Sequence, residues 1–292
     1  MTLTGSTTTW RDEPALRVVG GAGLRALVVP GRGGKIASLR DAAGREWLAE
    51  PGPTLPAPAR GPVTFVDAEM CGWDECAPTV DADVLAGATL PDHGEAWTTP
   101  WTPRAAGAWG YDGLSLRYRF SRRVEPTSAG LKLVYTAEAL GDEPVPFQWA
   151  AHPQLVAPPG SRIVLPPQVL HVDGVYGVDR RQPWTEQLAR VDSLADGEAL
   201  KFWTDPEQPV SWAGLLTSDG AMLRLSWDSA QVPYLALWVD AGLFSRERVV
   251  ALEPSTRSRE ALSASLADGR CQWLQPGLPV TWSVHVEVSP AI

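Results

Sequence analysis

Two short stretches of this chain carry the residue types that most often move protons near neutral pH, a histidine and a carboxylate. One is Trp149-Ala150-Ala151-His152-Pro153 and the other is Val249-Val250-Ala251-Leu252-Glu253-Pro254. Glu253 ends an apolar run, and a buried carboxylate without a partner is costly, so it must be paired, hydrated or used. Pro153 biases His152 toward an extended or turn conformation. That is where a sheet presents a side chain to a ligand, although a satisfied core histidine has the same local pattern. Together the two residues could run proton transfer on a bound ligand.

Other polar groups are candidates beside them. His93 lies in Leu90-Pro91-Asp92-His93-Gly94-Glu95-Ala96-Trp97, a Pro- and Gly-bounded loop, either as a ligand contact or as a turn histidine capped by Asp92 or Glu95. His285 alternates onto the polar side of Val280 to Val288 and is expected at the solvent face, while His171 stands at a strand end near a turn. Gly72-Trp73-Asp74-Glu75-Cys76 adds two adjacent carboxylates. Neighbours along a strand point to opposite faces, so only one of Asp74 and Glu75 is expected to enter a cleft. Fourteen tryptophans stand against five Tyr and five Phe. Trp faces stack well on the C–H face of a pyranose, which leans toward a carbohydrate ligand with Trp73, Trp149 and Trp238 as candidates, although core burial is the commoner use of any single Trp.

Several chemistries lack support. Pro30-Gly31-Arg32-Gly33-Gly34-Lys35 does not have phosphate-loop spacing and is followed by the strand-like Ile36-Ala37-Ser38-Leu39. There is no Gly-x-Ser-x-Gly elbow for Ser-His-Asp hydrolysis. Cys71 and Cys76 are separated by four residues with no second Cys or His pair at zinc-site distance, so no metal is expected.

The elements that must position these groups are strands. Apolar and polar residues alternate in Leu114 to Phe120, Leu131 to Thr136, Met222 to Trp227 and Val280 to Val288, the mark of half-buried antiparallel strands. Tyr234 to Val239 and Val249 to Leu252 are continuous apolar runs, expected mid-sheet with both faces covered. Val145 to Ala151 is strand-like. Helix is limited to two turns over Trp184 to Arg190 and a short one over Ser258 to Ser265. Gly and Pro, 27 of each, punctuate the strands, with an irregular loop at Pro51 to Pro62. The pattern implies a β-sandwich or barrel, read as a single domain over residues 1–292.

Composition narrows the function class. With 44% hydrophobic and 20% charged residues the chain is ordinary for a globular protein. A net charge of -9 argues against nucleic acid or an anionic membrane as partner. Met1 to Glu13 has neither the basic start nor the apolar stretch of a secretory signal, no run approaches the roughly 18 apolar residues that span a bilayer, and three cysteines suit reduced thiols. A cytoplasmic location is expected, and an exposed edge strand would allow a homodimer as well as a monomer.

The order of the motifs carries more than any one of them. Gly34-Lys35-Ile36-Ala37-Ser38-Leu39, Asp41-Ala42-Ala43-Gly44-Arg45-Glu46-Trp47-Leu48, His93-Gly94, His152-Pro153 and Glu253-Pro254 resemble, in sequence and order over nearly the whole chain, the aldose 1-epimerase (galactose mutarotase-like) family. The resemblance implies a large antiparallel β-sandwich with an open sugar cleft. It also implies sugar mutarotation without a cofactor, with His152 as general acid on the ring oxygen, Glu253 as general base on the anomeric hydroxyl and His93 binding beside the ring oxygen. Two positions depart from the family pattern. Trp73-Asp74-Glu75-Cys76 stands where an Asn-Arg pair is usual, and Gln154-Leu155 replaces an aromatic pair, so the set of hydroxyls recognised should change. Hexose-6-phosphate mutarotases form a related branch, and Arg32, Lys35 and Arg257 are this chain's candidate cations for a phosphate.

Two other readings compete. A non-catalytic carbohydrate-binding or sensor domain predicts binding that survives loss of Glu253. A glycoside hydrolase using Glu253 with Asp74 or Glu75 requires the pair about 5–5.5 Å or 6.5–9.5 Å apart.

Overall fold

The computed structural model describes residues 5–53, 57–61, 63–178 and 180–289. The first four residues and part of the Pro51 to Pro62 loop (54–56 and 62) therefore lie outside the described residues. The period-two segments form two large antiparallel sheets, of twelve and eight strands, whose apolar faces pack into one core. The all-β expectation holds, with α-helix limited among the described residues to Glu186–Ala189 and Leu262–Ala267.

In the eight-stranded sheet Met222–Trp227, Val280–Ser289, Gly130–Ala139 and Tyr118–Pro126 are neighbours in that order. Leu133, Tyr135, Leu223, Leu225, Trp282 and Val284 point inward, and His285 sits on the other face opposite Lys132 and Ser226. In the twelve-stranded sheet the order from Lys35–Arg40 runs through Trp73–Cys76, Ala150–Pro153, Arg248–Ser255, Tyr234–Ala241, Ala199–Thr204 and His171–Tyr176. The two continuous apolar runs are central here. Leu235, Leu237, Val250 and Leu252 face the second sheet, while the opposite face of the same strands is roofed by loops.

Three elements differ from the sequence reading, each for a local reason. The strand read from Leu114 begins only at Tyr118. The N–H groups of Leu114 and Ser115 donate to the buried Glu95 carboxylate, which bends this segment and leaves Leu114 exposed. Val145 to Ala151 is broken into Val145–Phe147 and Ala150–Pro153. Between them the Gln148 N–H turns to the Pro78 carbonyl and the Trp149 N–H to Thr256 Oγ1. The helix read over Trp184 to Arg190 is a single turn capped by Thr185, and the one read over Ser258 to Ser265 lies later, at Leu262–Ala267.

Much of the tryptophan excess is core. Trp47, Trp73, Trp149 and Trp282 are fully buried among Tyr118, Tyr135, Phe120 and Phe147. Glu75 and Arg122 are also buried between the sheets, and the sequence gives no local sign that they meet. Glu75 Oε1 accepts from Arg122 Nη1 at 2.6 Å and from Tyr135 Oη at 3.0 Å, and Oε2 accepts from Trp149 Nε1 at 2.8 Å. Arg122 also donates to the Gly34 carbonyl and lies 5.1 Å over the Trp101 ring. Desolvation on this scale is tolerable because the carboxylate oxygens and the guanidinium are each occupied.

Candidate active site

The alternation along each strand decides which groups share the roofed face. In Trp73–Cys76 the core takes Trp73 and Glu75, which sends Asp74 outward. Asp74 pairs in register with His152, whose neighbour Ala151 is in the core. Ala150 pairs with Ser255, two positions before His152 and two after Glu253, so His152 and Glu253 face each other across one strand gap, about 4.8 Å. Asp74, His152 and Glu253 thus stand in a row on three adjacent strands. One strand further on, Glu253 pairs with the small Ala236.

A cavity of about 270 Å³ opens over this row, close to the lower end of small-ligand pockets. Its floor and near wall are His152, His93 and Phe65, its far wall Trp238, Tyr176 and Phe244, and its polar lining Lys201, Glu260, Asp81 and Asp92. His93 stacks on Phe65, with ring centroids 4.2 Å apart, and meets His152 edge-on at 5.2 Å. The His93 backbone is left-handed (φ 57°) and is held there by its N–H on the Val80 carbonyl and by Nδ1 at 2.9 Å from Asp92. Gly94 follows because its backbone crosses Ala77 so closely that a Cβ would fall 2.1 Å from the Ala77 carbonyl oxygen. The His-Gly pair is therefore a steric requirement of the loop that delivers the imidazole.

His152 and Glu253 form the centre of the row. His152 Nε2 is 3.7 Å from Glu253 Oε1, and its Nδ1 is 3.2 Å from the Gln154 amide nitrogen. An Nδ1 that accepts from Gln154 leaves the ring proton on Nε2, facing Glu253. Burial, reinforced by the nearby His93 and Lys201 charges, pushes the His152 pKa well below its ordinary 6.5. Burial also raises Glu253 above its ordinary 4.5, against the pull of Lys201. Among the described residues neither Glu253 oxygen accepts a well-formed hydrogen bond; its nearest donor and counter-charge is Lys201 Nζ at 3.3 Å. Lys201 is shared with Glu260 at 2.8 Å, and Trp203 Nε1 donates to the same Glu260. Burial opposes the Lys201 charge, but Glu253 and Glu260 together hold its pKa above the ordinary value.

One expected outcome follows for His152. Its nitrogen-15 shifts should report a neutral ring at pH 6.5, where an ordinary histidine is half protonated. A charged ring at that pH would contradict the burial argument. Because the folded value lies below the unfolded one, this group's contribution to stability is lost as pH falls below 6.5.

The candidates named from sequence separate cleanly. His93, His152 and Trp238 line the cavity, and Glu253 lies beside His152 and Lys201 just beneath its surface. Asp74 shares their face but is spoken for by Lys35 Nζ. Trp73, Trp149 and Glu75 do not reach the cavity: they point through the opposite side of the sheet into the core, where Trp149 and Glu75 bond each other. Lys201, Glu260, Phe65, Tyr176 and Phe244 were not anticipated. Alternation in Leu200-Lys201-Phe202-Trp203 does place Lys201 and Trp203 on the outer face; the other four had no comparable signal.

No family model and no curated protein sequence matches this chain. Solved structures do match over its full length. The Slr1438 protein of Synechocystis has a TM-score of 0.71 at 17% identity, covering 99% of this chain and 98% of that one. A galactose mutarotase-like protein of Clostridium acetobutylicum has 0.71 at 15% identity, covering 98% of each chain. A galactose mutarotase-like protein of Lactobacillus casei has 0.67 at 15%, covering 94% of this chain and 100% of that one. The chain has the galactose mutarotase-like fold.

Proposed function

We propose that this protein, built on the galactose mutarotase-like fold, is a sugar mutarotase that interconverts α and β anomers. The observation that carries the reading is the Glu253–His152 pair: a buried carboxylate, balanced by Lys201 but with no well-formed hydrogen bond among the described residues, beside an imidazole N–H under an aromatic-walled cavity. A pyranose stacked on Trp238 would bring its O1 hydroxyl to Glu253 and its ring oxygen O5 to His152 Nε2. Glu253 takes the O1 proton, the C1–O1 bond becomes a carbonyl, and the C1–O5 bond breaks with its electron pair leaving on O5. Since burial holds His152 neutral, its Nε2–H acts as a hydrogen-bond donor to O5, and the proton that arrives on O5 is the one Glu253 removed. Rotation about C1–C2 and the same steps in reverse close the ring on the other face. The reading is tested by polarimetry on freshly dissolved α-aldoses, where equilibration faster than in buffer is expected.

Lys201 acts here as a positioning residue that keeps Glu253 ionised. Lys201→Met should move the acid limb of the kcat/KM profile to higher pH, because burial would then raise Glu253 with no ammonium to oppose it. A limb that stays in place would remove Lys201 from this role.

Two observations bear on the other readings. Glu253 has no exposed surface and Lys201 sits against it, which favours a binding domain without catalysis if Lys201 does not yield to the ligand. Hydrolysis with Asp74 or Glu75 as the second carboxylate is disfavoured, since Glu75 is on the far face of the sheet and Asp74 is held by Lys35.

A further inference from the structure

The charges around the cavity are unbalanced in a way that bears on which sugar enters. Asp81, Asp92 and Glu260 line it and Glu253 lies just beneath its surface, whereas among the described residues Lys201 is the one Lys or Arg on the lining and is engaged by Glu253 and Glu260. Asp92 is held by the Phe65 N–H at 2.7 Å and by His93. The Asp81 backbone is bonded to Glu260 and Thr79, but its side chain, exposed to solvent on the lining, has no hydrogen-bonded or ion-paired partner among the described residues, and partial desolvation with the neighbouring Glu260 charge raises its pKa. The opposite wall independently favours a cation. Tyr176, Trp238 and Phe244 pack with centroids 5.6, 5.8 and 6.1 Å apart, and electron-rich ring faces attract ammonium groups.

The phosphate reading fares badly by the same accounting. Arg32 is held by Glu13 and Glu69 and Lys35 by Asp74; neither these two nor Arg257 lines the cavity. Among the described residues of the lining, a phosphate would be brought among carboxylates with no uncommitted cation to receive it.

We propose that the cavity selects an aldose bearing an ammonium group, an amino sugar seated between Asp81 and the aromatic wall, over its neutral parent, and rejects sugar phosphates. This rests on the mutarotase reading for its chemistry but not for its charge preference. An ammonium hydrogen-bonded to an exposed carboxylate such as Asp81 favours the charged ligand by up to about fivefold.

The test is anomer exchange by NMR at a pH where the amine is protonated, on 2-amino-2-deoxyglucose, glucose and glucose 6-phosphate, with wild type and Asp81→Asn. The expected order of kcat/KM is amino sugar, then neutral sugar by about fivefold, then phosphate, with the amino-to-neutral ratio falling toward one in Asp81→Asn. Equal rates on amino and neutral sugars, a ratio that survives Asp81→Asn, or a preference for the phosphate would each overturn the proposal. If no sugar is accelerated, the mutarotase reading fails by itself. Calorimetric binding of the same three sugars then decides the charge preference: tighter binding of the amino sugar that is lost in Asp81→Asn supports it, and equal binding overturns it.

Discussion

Glu253→Gln is expected to bring anomer exchange down to the rate in buffer. Glutamine keeps the shape and removes the group that both takes the O1 proton and returns it to O5, so the loss should be at least the roughly 10²–10⁴-fold of one general catalyst. The fold should survive, because Lys201 keeps its shorter contact with Glu260 and the glutamine amide oxygen can still accept from Lys201. A circular dichroism spectrum and a urea midpoint near those of wild type would establish that. His152→Gln should cost less than Glu253→Gln if His152 acts as a hydrogen-bond donor to O5, since the proton shuttle remains. A larger loss at His152 would instead favour an imidazole that itself delivers the proton, the role implied by the family resemblance.

The second large effect is on stability. Arg122→Met removes the guanidinium from a carboxylate buried between the sheets, and breaking such a pair from one side costs about 3–5 kcal/mol. Urea unfolding should show that loss, and the double substitution with Glu75→Gln should recover a substantial part, because the uncompensated charge goes with it. An Arg122→Met midpoint equal to that of wild type would mean that Glu75 is not held in the dry core. The same experiment bears on the assignment of Glu75, which the sequence left as a candidate for the cleft.

Both effects trace back to what period-two alternation can and cannot reveal. It identified the long strands around Leu133, Leu225 and Val284, and it separated Asp74 from Glu75 onto opposite faces. It did not say which face was the core; the aromatic neighbours Tyr135 and Trp149 decided that by supplying donors to Glu75. Trp73 and Trp149 were misplaced for the same reason, since a tryptophan beside a polar motif reads alike whether it stacks on a ligand or fills the sandwich. His93, His152 and Glu253 were legible because each sits in a short motif with its own backbone demand, Gly94 for the first and a following proline for the other two. Glu260 was not, because it acts through Lys201 and Trp203, whose proximity depends on a loop that folds over distant strands. Leu114 was misread because Glu95, nineteen residues earlier, captures its backbone.

The most direct test of the central claim is two-dimensional exchange NMR at the anomeric position of an aldose at equilibrium, with and without the protein. Water exchanges anomers unaided, so the quantity that matters is the excess over buffer. Cross-peaks between the α and β C1–H signals that grow with protein concentration and vanish with Glu253→Gln are the predicted result. A sugar shown to occupy the cavity, by broadening of the Trp238 indole signal, yet exchanging no faster than in buffer would contradict catalysis and leave a carbohydrate-binding domain in its place.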